Sequence, residues 1–267
     1  MSVAVEIAVE DEAGLVVAAH AGASRVELCT DLASGGTTPP PELVRLCVAR
    51  AAALVASRDA VASFEVHVLI RPPGGTAQVH EHPEQFSCTA EQVEQMAAQA
   101  AAAVEAGAAG VVLGALARDE HGTWALDLAA LEALRDAALH AASRAVRSVQ
   151  LTCHRALDAL PDAAARVAAV EALVPLGFHR ALTSGGAVRA IDGTADIAAM
   201  VEAADGLVDV CAGGGIRPAD IAPLVRATGV ADIHLSGRLP SGPADENPDT
   251  LTDPAVCTAA VDAAGAL

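Results

Sequence analysis

The stretch Val149–Asp158, VQLTCHRALD, decides how the chain is read. As a strand it places Val149, Leu151 and Cys153 on one face and Gln150, Thr152 and His154 on the other. Arg155 and Asp158 follow as the chain leaves it. An apolar face and a second face ending in histidine describe a strand that packs on helices behind and presents chemistry in front.

The rest of the chain repeats that division. Val3–Val9 alternates Val3, Val5, Ile7 and Val9 against Glu6, and a helix over about Asp11–Ala21 follows. Arg25–Cys29 opposes Val26 and Leu28 to Glu27 and Cys29. A Gly/Thr/Pro loop, Ser34–Pro41, leads to a helix ending near Ala56. Phe64–Arg71 sets Phe64, Val66, Val68 and Ile70 against His67 and Arg71. After the loop Pro72–Cys88, Thr89 and Gln92 have the spacing of a capping box that starts a helix ending at Gly107. Strands then follow at Gly110–Gly114, Val149 onward, Arg180–Ser184, Leu207–Cys211 and Asp232–Ser236. Helices are expected over Asp127–Ala142, Asp162–Val174, Thr194–Ala204, from Pro218, and over Ala255–Ala264. A polar loop or extension occupies about 238–254.

Eight strand–helix units without a linker predict one TIM barrel, a single (β/α)8 domain over residues 1–267. A doubly wound open sheet is the rival, but its strands are buried on both faces and read as continuous apolar runs. Polar Glu6, Glu27, His67, His154 and His234 opposite the branched apolar set favour a closed barrel with a polar lumen.

Composition narrows the chemistry. The net charge is −18, and three Phe, one Trp and no Tyr remain for stacking. Binding to a nucleic acid or to an anionic membrane surface is not expected. All 16 basic residues are arginine. Without lysine, Schiff-base chemistry, a lysine-dependent cofactor such as pyridoxal phosphate and a Walker-type phosphate loop are excluded. The six cysteines lack CxxC spacing, which fits neither a disulfide framework nor a zinc ribbon. Residues 1–12 carry acids where a leader would be basic, and Ala97–Ala117 is interrupted by Gln99, Glu105 and glycines. A soluble cytoplasmic protein is expected.

Inside the barrel, Glu6, Glu27, Cys29, His67, Arg71, Thr152, His154, Cys211, His234 and Ser236 would point inward. Cys29, Arg71, His154, Cys211 and Ser236 fall nearest the C-terminal rim, where barrels of this class do their chemistry. Buried carboxylates beside Arg and His imply a compensated network, which in some barrels is only filling. As a catalytic set, His154 is the expected general acid/base, with Glu27 and Glu6 tuning the imidazoles of His67 and His234. Arg71 and Arg155 serve as anion clamps, and Asp158 completes the set. The turns containing Ser184 and Gly185, Gly213, Gly214 and Gly215, and Ser236 and Gly237 would bring backbone N–H groups to an anion. His80-Glu81-His82 reads as a solvated loop and not as a metal site.

These residues resemble the CutC family, named for copper homeostasis. The resemblance is carried by Glu6, RVELC (Arg25–Cys29), GGTTP (Gly35–Pro39), IRPPGG (Ile70–Gly75), HRALD (His154–Asp158), LTSGG (Leu182–Gly186), AGGGI (Ala212–Ile216) and the His234 strand. It implies a TIM barrel that binds or handles copper(I), with Cys29 as thiolate ligand and Cys211 on the same face. Ala8 stands where family members often carry a second Cys, which removes one ligand of a two-strand thiolate site. Two functions are therefore expected. One is copper binding in copper homeostasis. The other is acid/base enzymology on a small anionic or phosphorylated metabolite. The partner is a small anionic ligand or a copper ion, and a homo-oligomer is allowed for.

Overall fold

The computed structural model describes residues 3–239 and 252–267. Parallel strands β1 (Ala4–Val9), β2 (Arg25–Leu28), β3 (Glu65–Leu69) and β4 (Gly110–Leu113) form half of a closed barrel. A hairpin, β5 (Leu116–Arg118) and β6 (Trp124–Leu126), interrupts the series. Strands β7 (Gln150–Cys153), β8 (Arg180–Thr183), β9 (Asp209–Gly213) and β10 (Asp232–Leu235) complete the cylinder, and β10 pairs with β1. Helices α1 (Glu12–His20), α2 (Pro41–Ser57), α3 (Ala90–Glu105), α4 (Leu128–Arg144), α5 (Ala163–Leu173), α6 (Thr194–Ala204), α7 (Pro218–Thr228) and α8 (Pro254–Gly265) follow the barrel strands. The expected TIM barrel is the observed fold.

The outward strand positions make the main core. Val5, Ile7, Val26, Leu28, Val66, Val68, Val111, Leu113, Leu151 and Cys153 are all buried in it against the helices. Each fully buried Leu or Ile contributes about 1.5–3 kcal/mol. Small helix residues such as Ala100, Ala103, Ala138 and Ala141 are buried at the same layer, which lets the helices approach closely. Asp11, Asp127 and Asp162 cap their helices by accepting a first-turn N–H. Thr89 and Gln92 form the reciprocal capping box read from their spacing. No described helix is long and apolar enough to cross a membrane.

Two departures from the sequence reading matter. The hairpin was not expected, because three-residue strands are too short to display alternation. Its turn is closed by Asp119, which accepts from His121 and Thr123 N–H at 2.9 and 2.8 Å. The second is β9, expected at Leu207–Cys211 but found at Asp209–Gly213. Asp205 and Gly206 both take left-handed backbone after α6, and the turn they make uses up Leu207. The strand slides by two residues, so its inward face is kept while every inward side chain drops one layer. The polar segment read at about 238–254 falls mostly outside the described residues.

Candidate functional site

Inward side chains fill the barrel in two tiers. The lower tier is an ion network around Arg180, the largest fully buried side chain among the described residues. Its Nη1 donates to Glu6 Oε2 at 2.8 Å, and its Nε lies 3.3 Å from Asp232. Arg25 Nη1 donates to the other Asp232 oxygen at 2.8 Å. Two guanidiniums face two carboxylates, as burial of such charges requires. His67 lies in this tier, fully buried, with Nε2 3.4 Å from Glu65, and burial lowers its pKa.

His234 links the tiers. Its Nδ1 is 2.7 Å from Glu6 Oε1, and its Nε2 is 3.7 Å from Glu27. Burial favours the neutral form of Glu6, but Arg180 and then His234 outweigh it and hold Glu6 well below the usual carboxylate range. An ionised Glu6 can only accept, so His234 Nδ1 is the donor and Nε2 is turned to Glu27. Burial disfavours charge on His234, yet Glu27 and Glu6 together raise its pKa. Burial raises Glu27, and His234 opposes this only in part.

Above Glu27 and His234 opens a cavity of about 610 Å³ at the C-terminal ends of the strands. That volume suits a small metabolite. Arg71, Arg155, Arg189, Arg217 and Arg238 line it, and among the described residues Glu27 is the one carboxylate in its wall. Arg155 is fixed by Asp158 at 2.8 Å, Arg189 by Asp220 at 2.5 Å, and Arg238 by Glu10. Those acids stand behind the wall, so the cavity surface itself presents guanidinium. Arg71 is committed elsewhere: it donates to Gly35 O at 2.7 Å and Gln85 Oε1 at 2.6 Å, and it covers the Phe86 ring. It holds two loops together as well as lining the cavity.

His154 closes the stretch with which the reading began. It caps the single turn Arg155–Ala159, its Nδ1 accepting from Ala156 N–H at 3.2 Å. Its ring packs on Gly114, where an added Cβ would lie 2.5 Å away, and against Phe86 at 5.2 Å between centroids. Burial, with Arg71 nearby, depresses its pKa to about 3. The imidazole is therefore neutral, with the proton on Nε2.

Asp158 is an anchor. It accepts from Thr183 Oγ1 at 2.6 Å and from the N–H groups of Ser184 and Gly186, while gripping Arg155. Ser184 also accepts from Arg155 at 3.1 Å, and Gly185 N–H is taken by Thr183. The turn after β8 is thus tied to the turn after β7. After β9, Gly213 makes room for the His234 ring, and Gly214 (φ 114°) passes beneath Arg155, where a Cβ would meet Nη2 at 2.9 Å. Among the described residues, the N–H groups of Gly214 and Gly215 have no protein acceptor. Ser236 lines the cavity, whereas Gly237 packs against Cys257 of α8.

Cys29 and Cys211 are not brought together. Cys29 directly follows β2 and Cys211 lies in β9, with β1 and β10 between those strands in the barrel wall. Both are fully buried, neither lines the cavity, and burial raises both thiol pKa values. The slide of β9 puts Cys211 level with Asp232 in the lower tier and not at the rim. Among the described residues no group of three or more His, Cys, Asp or Glu is arranged to hold a metal ion. These side chains do not compose a two-thiolate copper site.

Sequence reading overlooked Arg25, Arg180, Asp232 and the rim arginines Arg189, Arg217 and Arg238. Arg180 could have been found, since it shares its face with Leu182 and Ser184. The rim arginines lie on loops, where no periodicity marks them.

Comparison with known proteins gives a consistent result. A CutC family protein of Caulobacter vibrioides is 38% identical over 234 residues, covering 88% of this chain and 81% of that protein. One from Agrobacterium fabrum is 36% identical over 231 residues, covering 86% and 78%. A crystal structure described as the putative copper homeostasis protein CutC from Streptococcus agalactiae superposes with a TM-score of 0.71 at 28% identity, over 88% of this chain and 98% of that one. The family model described as "CutC family" matches residues 3–239, which span the barrel and its cavity, and the chain belongs to the CutC family.

Proposed function

We propose that the chain is a cytoplasmic enzyme that binds a small anionic metabolite and moves a proton on it with Glu27 and His234. The observation that carries this reading is the arginine-rich wall around Glu27 and His234 in a chain of net charge −18. A strongly acidic protein that collects guanidiniums around one concave site is equipped for an anion. His154, a neutral imidazole, offers Nε2–H as a hydrogen-bond donor and not as a proton source. Acid/base work therefore falls to Glu27 and His234, which face each other at 3.7 Å on the cavity floor and whose pKa values are both raised, Glu27 by burial and His234 by Glu27 and Glu6 against burial. One group removes a proton from the bound anion and the other returns one to a neighbouring atom, which is isomerase or lyase chemistry needing no lysine.

The test is thermal denaturation with inorganic phosphate, sulfate, small carboxylates and phosphate esters. A ligand at one hundred times its Kd adds about 2.7 kcal/mol, which raises Tm by several degrees. If no anion raises Tm at tens of millimolar, the reading is wrong.

Copper(I) handling in copper homeostasis is the second reading, favoured by the description of the Streptococcus agalactiae relative. It rests on Cys29 with imidazole help, since Ala8 supplies no second thiolate. Cu(I) titration against a competing chelator tests it. Unchanged affinity in Cys29→Ala would remove Cys29 as the ligand.

A further inference from the structure

We propose that the ligand of this cavity is an amphiphile: an anionic head group carried on an aromatic or branched apolar body. The inference rests on the anion-binding reading above and adds the class of molecule.

The cavity wall is divided. The cationic and backbone donors Arg155, Arg189, Gly214, Gly215, Arg217 and Arg238 come from the turns after β7, β8, β9 and β10. Of the apolar lining, Leu32, Ala33, Leu69, Ala77, Val79 and Phe86 come from β3 and the segments that follow β2 and β3, while Leu182, Ile216, Leu235 and Leu239 lie among the cations. In the closed strand order β1-β10-β9-β8-β7-β4-β3-β2, the pair β2 and β3 stands opposite β8 and β9. A mainly apolar side therefore faces the side that carries most of the cations, with Glu27 and His234 at the floor of the lumen.

Arg71 is the one cation on the apolar side, and its hydrogen bonds to Gly35, Gly36 and Gln85 leave it holding loops. Those bonds give the apolar wall its shape. Gln85 Oε1 takes both Arg71 and the Thr76 N–H, at 2.6 and 2.8 Å, so the segment carrying Ala77, Val79 and Phe86 is tied down at both ends. Leu69 packs with Cys29, Val112 and Leu32 in a small inner cluster separate from the main core. A ligand polar throughout would leave this wall facing hydroxyl groups or water, forfeiting the burial energy of apolar surface. An apolar body on a charged head satisfies both walls at once.

The experiment compares inorganic phosphate, glycerol phosphate and phenyl phosphate by calorimetric titration of the full chain, with Arg217→Ala and Leu32→Gln as variants. We expect phenyl phosphate to bind at least tenfold more tightly than glycerol phosphate. Leu32→Gln should erase that advantage while leaving inorganic phosphate unchanged, and Arg217→Ala should weaken all three by a similar factor. Equal or tighter binding of glycerol phosphate overturns the amphiphile and leaves the anion reading standing. A phenyl phosphate advantage that survives both Leu32→Gln and Ala77→Gln overturns the assignment of this wall. If none of the three binds, the anion reading itself fails and the inference falls with it.

Discussion

The lower and upper tiers of the lumen hold the same kinds of side chain and differ in how they are compensated. Below, Arg25 and Arg180 face Glu6 and Asp232 with every carboxylate in contact with a guanidinium. Above, Glu27 is buried with His234 beside it at 3.7 Å, and of the arginines lining the cavity Arg155, Arg189 and Arg238 are held by acids outside it. The lower network is closed in charge, although Arg25 Nε and Arg180 Nε and Nη2 find no hydrogen-bond acceptor among the described residues, and it reads as filling. An open one keeps free energy in reserve for something that binds. This contrast is the ground on which we propose the upper tier as the functional one.

Breaking the lower tier should have the largest effect. Arg180→Met leaves Glu6 and Asp232 short of a buried partner, and removing one member of such a pair costs about 3–5 kcal/mol. Urea denaturation should show a loss of that size. A loss under 1 kcal/mol would mean the lower tier is not the closed network described. Asp158→Asn comes next. It weakens the bonds to Arg155, Thr183 and Ser184 together, for about 2–3 kcal/mol, and should also lower anion affinity because the turns after β7 and β8 come apart. Retained affinity would show that Asp158 anchors only the fold.

Gly114→Ala sharpens the comparison at its border. Its Cβ would lie 2.5 Å from the His154 ring, so the imidazole must move, at an overpacking cost of about 1–3 kcal/mol. The proton resonances of His154 report the shift directly. An unmoved ring would show that Phe86 and the Ala156 N–H bond, and not the absence of a side chain at 114, fix its place.

How much of this could be read from the sequence follows from the same division. Alternation in β1, β2, β3, β7 and β10 placed Glu6, Glu27, His67, His154 and His234 on the inner face, since period two is a property of the backbone alone. Height along the barrel axis was harder. Cys211 is expected at the rim because the strand reads as Leu207–Cys211, whereas the left-handed turn at Asp205 and Gly206 places it at Asp209–Gly213. Arg180 shares its face with Leu182 and Ser184, but its pairing with Glu6 and Asp232 joins strands distant in sequence, so its place at the centre of the lower tier shows only in three dimensions. The partners Asp158–Thr183, Arg189–Asp220 and Glu10–Arg238 join separate loops, and only three-dimensional proximity reveals them.

Glu27→Gln should have the smallest effect on stability and the opposite sign. Burial raises the Glu27 pKa above 4.5, so the stabilising contribution of its neutral form is complete below about that pH and is lost as pH rises through the folded-state value. As pH rises through that value the native state takes on a carboxylate charge in a place that resists it, and glutamine removes that penalty. The stability of the variant relative to the parent, read as Tm against pH, should rise with increasing pH above about 4.5 and show no such gain below it. Its anion chemistry should be lost at the same time, the usual trade between an active site and stability. His234 gives a second readout, because Glu27 is the foremost group opposing burial there, and its titration should move down in the variant. A Glu27→Gln protein less stable at pH 7, with His234 unmoved, would make the upper tier as closed as the lower and remove the reason to seek a ligand there.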